Sequence, residues 1–189
     1  MLMGVGVVVG MFSEGCDRLA AAHLLRSFTF PGPFGLEPVV LFGVFLAVGN
    51  LLGMALMQRL ERTVETTSSL QLAMTLSLLT TMVSVAVLLF ALSFSVWLAI
   101  LAYVLLIPIR QSVDLLTTAW INQHIDSDVR ATVLSMRGQA DALGQMSGSL
   151  VGLVGQLAGL RVALTCSALL LVPAITLYMR SLRSSPHSD

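Results

Sequence analysis

Six long apolar segments constrain the fold of this chain more than any other feature of its sequence. Charged, polar or proline-containing connectors separate them. At a rise of about 1.5 Å per residue, each segment is long enough as a helix to cross roughly 30 Å of hydrocarbon. A helix satisfies its own backbone hydrogen bonds in lipid, so we expect an all-α membrane protein with six transmembrane helices. They are predicted near residues 2–26, 38–58, 69–91, 95–120, 130–156 and 161–180.

The composition agrees with a lipid environment and argues against several classes of partner. Hydrophobic residues make up 56% of the chain and charged residues 11%, whereas soluble domains are about 25% charged. Ten basic and ten acidic residues give a formal net charge of zero, which argues against a nucleic-acid surface. Cys16 and Cys166 are far apart, with neither a metal-ligand spacing nor a disulfide framework. We therefore expect the lipid bilayer as a partner, with no nucleic acid, no metal and no cofactor.

The distribution of arginine predicts the orientation, because basic residues in short loops are retained on the cytoplasmic side. Five arginines fall on one predicted side and two on the other: Arg59, Arg62, Arg130, Arg180 and Arg183 against Arg26 and Arg161. This asymmetry predicts that both termini are cytoplasmic. Residues 1–180 would then form the helical bundle, and residues 181–189 a short polar cytoplasmic tail, expected to be disordered.

Three of the apolar segments carry opposite charges four residues apart. The pairs are Glu14 with Arg18, Arg110 with Asp114, and Arg137 with Asp141. This spacing places both members on one face of a helix. An isolated charge at the bilayer centre costs at least about 2.5–3.5 kcal/mol, so we expect pairing within each helix to reduce that cost.

Pairing does not explain why these charges are present, since leucine would be more stable in a helix that merely spans. Ionisable residues inside a membrane often mark a substrate or proton path. The predicted path residues lie on the first and fourth helices: Glu14, Asp17, Arg18, Arg110 and Asp114. Two inverted three-helix repeats would place these equivalent helices around one cavity. The alternative is an ion-pair clasp between helices, or charges that lie near the membrane interface.

Two further features concern helix shape and packing. Pro108 lacks an amide hydrogen two residues before Arg110, which predicts a kink beside a charge. That kink suits a moving gate, but ordinary membrane helices also tolerate proline. Glycines four apart on the second and fifth helices predict close helix packing, either within the bundle or against a second one. They are Gly49, Gly53, Gly144, Gly148 and Gly152, and Gly6 and Gly10 repeat the spacing on the first helix.

Two stretches resemble the major facilitator superfamily of transporters. "SEGCDRLAAAHLL" resembles the seventh membrane helix of some bacterial members, and "INQHIDSDVRATVLSMRGQADALGQMSG" resembles their loop between helices ten and eleven, running into helix eleven. The resemblance implies the carboxy-terminal six-helix half of a twelve-helix fold. It implies that our first and fourth helices line a cavity, and that our second and fifth meet the amino-terminal half. The loop "GMALMQRLERTVE" also resembles the family's cytoplasmic gating loop, which implies a gating role for Arg59 and Arg62. The spacing of four residues between Arg137 and Asp141 marks them as further gating or ion-pair residues.

The resemblance further implies transport of a small organic solute, with proton-coupled efflux across a bacterial cytoplasmic membrane as the expected activity. The expected partner is a missing amino-terminal six-helix half or a second copy. The alternative is a truncated, transport-incompetent fragment or an interaction module in the membrane. An intramembrane hydrolase using Ser147 or Ser149 would need a nearby base. None of the three histidines is well placed in sequence, so we expect a protein that is not an enzyme.

Overall fold

The computed structural model describes residues 2–29, 37–63 and 69–184. Within these ranges the chain forms α-helices and no strands. The helices are α1 (Leu2–Ser27), α2 (Pro38–Thr63), α3 (Ser69–Leu92), α4 (Val96–His124), α5 (Ser127–Ala158), α6 (Leu160–Leu170) and α7 (Val172–Ser184). Each predicted segment is therefore helical, and the sixth comprises α6 and α7.

Among the described residues, four stretches are long and apolar enough to cross a membrane, which indicates a membrane protein. They are Pro38–Thr63, Leu70–Leu92, Val96–Asn122 and Leu160–Arg180. At 26 and 32 residues, α1 and α5 are also long, but they are less apolar. Glu14, Asp17 and Arg18 lie close together on α1, and α5 is rich in polar side chains and glycine.

The sixth helix is interrupted at Leu171, two residues before Pro173. Proline has no amide hydrogen to donate to the carbonyl of Leu169, so the regular hydrogen bonding fails there. The amide of Leu171 instead donates to the carbonyl of Ala168 at 3.3 Å, and that of Ile175 donates to Leu171 at 3.1 Å. By contrast, α4 is helical through Pro108. The sixth helix is therefore interrupted before Pro173, whereas the kink predicted beside Arg110 does not interrupt α4 and stays a prediction.

Several helices extend beyond their predicted ends. Arg59 and Arg62 belong to the last turns of α2, and Arg130 belongs to the first turn of α5. The predicted polar tail also begins later, because α7 continues to Ser184. Its predicted disorder concerns residues 185–189, which lie outside the described residues, as do residues 30–36 and 64–68 of two connectors.

Helices of the first half of the chain pack mainly on helices of the second half. α1 packs against α5, α6 and α7, whereas α4 packs against α2 and α3; α3 also contacts α6 and α7. Phe12, Leu76, Leu116 and Tyr178 belong to the larger apolar core between these helices. Exposed apolar side chains cover the outside of α2, α3 and α4, as expected of a lipid-facing surface.

Candidate functional site

A bidentate ion pair joins α1 to α4 near the middle of both helices. Arg110 lies midway between the two ends of α4. Its Nη1 donates to Oδ1 of Asp17, and its Nη2 donates to Oδ2 of Asp17 at 3.0 Å. Nη2 also donates to Oγ of Ser13 at 3.2 Å, and the guanidinium carbon lies 5.3 Å from the ring centroid of Phe12. Two parallel charge-assisted hydrogen bonds fix both the orientation and the distance of the two helices.

A second ion pair joins α4 to α5. Nη2 of Arg137 donates to Oδ1 of Asp114 at 3.2 Å, and Nη1 donates to Oγ1 of Thr118 at 3.3 Å. Asp114 lies one helical turn after Arg110 on α4, so the two pairs form a short ladder across three helices. The side chains of Asp17 and Asp114 are 59% and 64% exposed, which places their carboxylates at the surface of a cleft.

The pairing predicted within each helix is confirmed only for Glu14 and Arg18. The other two predicted pairs are wrong, because Arg110 and Arg137 both reach carboxylates on neighbouring helices. A long arginine side chain can bridge two packed helices, and the spacing along one helix carries no information about such partners. The carboxylate of Asp141 accepts a hydrogen bond from Nε2 of Gln145 at 2.8 Å.

Two cavities meet at the Arg110–Asp17 pair. The larger, of about 410 Å³, lies among α1, α4, α5 and α7, and we call it the charged cavity. The other, of about 400 Å³, lies among α1, α2 and α4. Asp17, Arg110 and Asp114 line both cavities. The structure thus brings together five of the charged residues predicted from the sequence around the charged cavity: Asp17, Arg110, Asp114, Arg137 and Asp141.

The charged cavity has both apolar and polar walls. Val5, Val9, Val113 and Leu134 contribute aliphatic surface, while the ionic side chains and Gln145 contribute hydrogen-bonding groups. A site of this kind can hold a small molecule that has an apolar body and a polar or charged group. Glu14 and Arg18 pair with each other on α1 and are not among the residues that line either cavity.

Glycines bring α1 and α5 into backbone contact beside the charged cavity. A Cβ atom at Gly10 would overlap the carbonyl of Asp141, and one at Gly144 would overlap the carbonyl of Val7. At Gly148 it would lie 2.7 Å from Cβ of Glu14. The close approach of the two backbones places Asp141 directly beside α1.

The glycines of α2 likewise allow a close approach of α2 to α4. A Cβ atom at Gly49 would lie 2.7 Å from Cδ1 of Ile107, and one at Gly53 would overlap the side-chain amide oxygen of Gln111. Gly49, Gly53, Gly144 and Gly148 therefore pack inside the chain, which confirms close packing and, of the two predicted alternatives, favours packing within the bundle for these four. Gly152 is the exception, because no described atom lies within 4 Å of a Cβ built there.

Three neutral side chains at the site were missed from the sequence: Ser13, Thr118 and Gln145. Each bonds a member of the ionic ladder or its neighbour Asp141. Each also lies four residues from an aspartate, at Asp17, Asp114 and Asp141 respectively. A search for polar side chains one turn from each carboxylate within the apolar segments would have found them.

Arg59 and Arg62 lie exposed at the end of α2, apart from the residues that line either cavity. Their gating role stays a prediction. Ser147 and Ser149 donate to the backbone carbonyls of Leu143 and Met146, at 3.1 and 2.9 Å. His23 is buried, with its ring nitrogens near Oγ of Ser27 and the carbonyl of Phe90.

Comparison with known proteins adds no relative from which a role could be transferred. The function of the cleft is therefore argued from its geometry and charges. No protein-family model, curated protein or solved structure matches this chain.

Proposed function

We propose that this chain is a six-helix half of a membrane transporter, which moves a small organic solute through the cleft between α1, α4 and α5. Proton-coupled efflux across a bacterial cytoplasmic membrane, with both termini cytoplasmic, is the proposed activity. In this proposal α1 and α5 also span the membrane, which makes six spans in all. The fold is then that of the carboxy-terminal half of the major facilitator superfamily.

The observation that carries the proposal is the meeting of two cavities at the Arg110–Asp17 pair, halfway along α4. Each ion left in lipid at this depth would cost at least about 2.5–3.5 kcal/mol. The carboxylates of Asp17 and Asp114 are more than half exposed in the isolated chain. Such side chains are tolerated in a membrane where they face water or solute, which supports a hydrated path.

The packing pattern supports two three-helix repeats. If the first three spans exchanged places with the last three, the α1–α5 contact would become the α4–α2 contact. In the same way, the contact of α1 with α6 and α7 would become the α4–α3 contact. The glycine interfaces follow the same exchange, since the second helix of each set packs through its glycines on the first helix of the other. Inverted repeats of this kind place a substrate site at their interface, near the middle of the bilayer.

For transport, other protein must close the open side of the cleft. Alternating access moves one bundle against another around a central site. We propose that a second six-helix bundle closes the cleft, supplied by another chain, by a second copy or by a longer form of this polypeptide. Without it, the chain would be a transport-incompetent fragment or a membrane interaction module, which is the alternative function.

Transport in lipid vesicles by the chain purified together with its second bundle tests the proposal. Ethidium and fluorescein, two fluorescent organic ions of opposite charge, would be supplied outside vesicles that carry a pH gradient. We expect gradient-driven accumulation of at least one dye, and its loss in Asp17→Asn. Glu61→Gln is the matched control, because Glu61 is exposed at the end of α2. Failure to move either dye with the second bundle present would favour the alternative.

A further inference from the structure

We propose that the charged cavity binds monovalent organic cations, and that the carboxylate of Asp141 is the group that neutralises them. This inference rests on the proposed function, because it names the solute class that the cleft would accept. It assigns a direct binding role to a residue that the sequence marks only as a gating or ion-pair residue.

The first argument is the balance of charge around the cavity. Its lining contains the carboxylates of Asp17, Asp114 and Asp141 and the guanidinium groups of Arg110 and Arg137. Arg110 pairs with Asp17, and Arg137 pairs with Asp114. Asp141 therefore supplies the surplus negative charge, and a monovalent cation would make the cavity neutral.

The second argument is the local environment of Asp141. Among the described residues its carboxylate has a neutral partner, the amide of Gln145 at 2.8 Å. This hydrogen bond orients the carboxylate without neutralising it. The backbone is also fixed, because the carbonyl of Asp141 lies against Gly10 of α1. An oriented, charged acceptor held on a rigid helix is suited to binding a ligand of opposite charge.

The third argument concerns the body of the ligand. Val5, Val9, Val113 and Leu134 line the same cavity of about 410 Å³. An inorganic cation gains nothing from these aliphatic walls, and the described residues form no group of three or more acidic, histidine or cysteine side chains that could hold a metal ion. An organic cation can place its apolar groups against them while its charge approaches Asp141.

Isosteric ions of opposite charge provide the test. Tetraphenylphosphonium and tetraphenylborate have nearly the same shape, so a comparison between them isolates the sign of the charge. Equilibrium binding of each would be measured on the purified full-length chain in detergent. We expect Asp141→Asn to weaken tetraphenylphosphonium binding by about tenfold or more, and to leave tetraphenylborate binding unchanged or stronger.

Two further variants separate the loss of charge from damage to the fold. Asp141→Glu keeps the carboxylate and should keep cation binding within a few-fold of the original. Asp128→Asn removes an exposed carboxylate from the first turn of the same helix, and should change neither ion. Equal weakening of both ions by Asp141→Asn would overturn the proposal, and so would the absence of tetraphenylphosphonium binding to the unmodified chain.

The binding measurement is independent of transport. Cation binding that depends on Asp141, in a protein that moves no solute in vesicles even with the second bundle present, would uphold this inference and contradict the proposed function. Gradient-driven transport by a protein that binds the two ions equally would uphold the proposed function and contradict this inference.

Discussion

Arg110 holds Asp17 through two parallel hydrogen bonds, at the point where the charged cavity meets the cavity among α1, α2 and α4. Apart from this pair, α1 and α4 make few contacts, since each packs mainly on other helices. The ion pair is therefore a direct polar link between two helices whose backbones approach each other at few positions. A ligand can displace an ion pair more readily than it can open a packed apolar interface. This property suits a pair that lies between two cavities on a proposed solute path.

The strength of this link can be measured by a double-mutant cycle. Asp17→Asn, Arg110→Gln and the double variant would be compared by thermal unfolding in detergent. We expect a coupling free energy of about 0.2–1 kcal/mol, because the carboxylate of Asp17 is more than half exposed. Strictly additive effects of the two substitutions would contradict a direct interaction.

Glycine substitution tests the close approach of α1 and α5. Gly144→Ala would place a methyl group on the carbonyl of Val7, so we expect a loss of about 1–3 kcal/mol in the free energy of unfolding. Gly152→Ala is the matched control on the same helix, where a Cβ meets no described atom within 4 Å. Because alanine favours helix more than glycine does, it should be neutral or slightly stabilising. Equal destabilisation by the two variants would argue against this helix interface.

The chemical reactivity of single cysteines tests whether the cleft contains water. With Cys16 and Cys166 replaced by alanine, cysteine would be introduced at Gln145, which lines the charged cavity, or at Leu143 on the same helix. Both positions are exposed in the isolated chain. We expect a water-soluble maleimide to label Gln145→Cys several-fold faster than Leu143→Cys in membrane vesicles. The opposite order of labelling rates would place the water on another face of α5.

The sequence predicts the helices of this protein better than it predicts their partners. The length and apolarity of the segments specify where the chain is helical, and glycine at intervals of four residues indicates close packing at Gly49 and Gly144. The partners of Arg110 and Arg137 were predicted wrongly, because they lie on other helices and depend on how the bundle packs. The break before Pro173 was missed for a related reason. Pro108 and Pro173 both lie in apolar helices, and the sequence around each proline does not show which helix will be interrupted.

Neutralising Asp114 tests its part in proton coupling. Asp114→Asn keeps the size of the side chain but removes the charge that Arg137 binds across the cleft. If this carboxylate gains and loses a proton during transport, the variant should lose accumulation driven by the pH gradient and retain downhill movement of the same dye. Initial rates in vesicles with and without the gradient measure both quantities, and Glu61→Gln supplies the control for a lost surface carboxylate. Arg137 would keep its hydrogen bond to Thr118, so gross unfolding is not the expected cause of a defect. Gradient dependence equal to that of the unmodified chain would remove Asp114 from the coupling path and leave Asp17 and Glu14 as the carboxylates to examine.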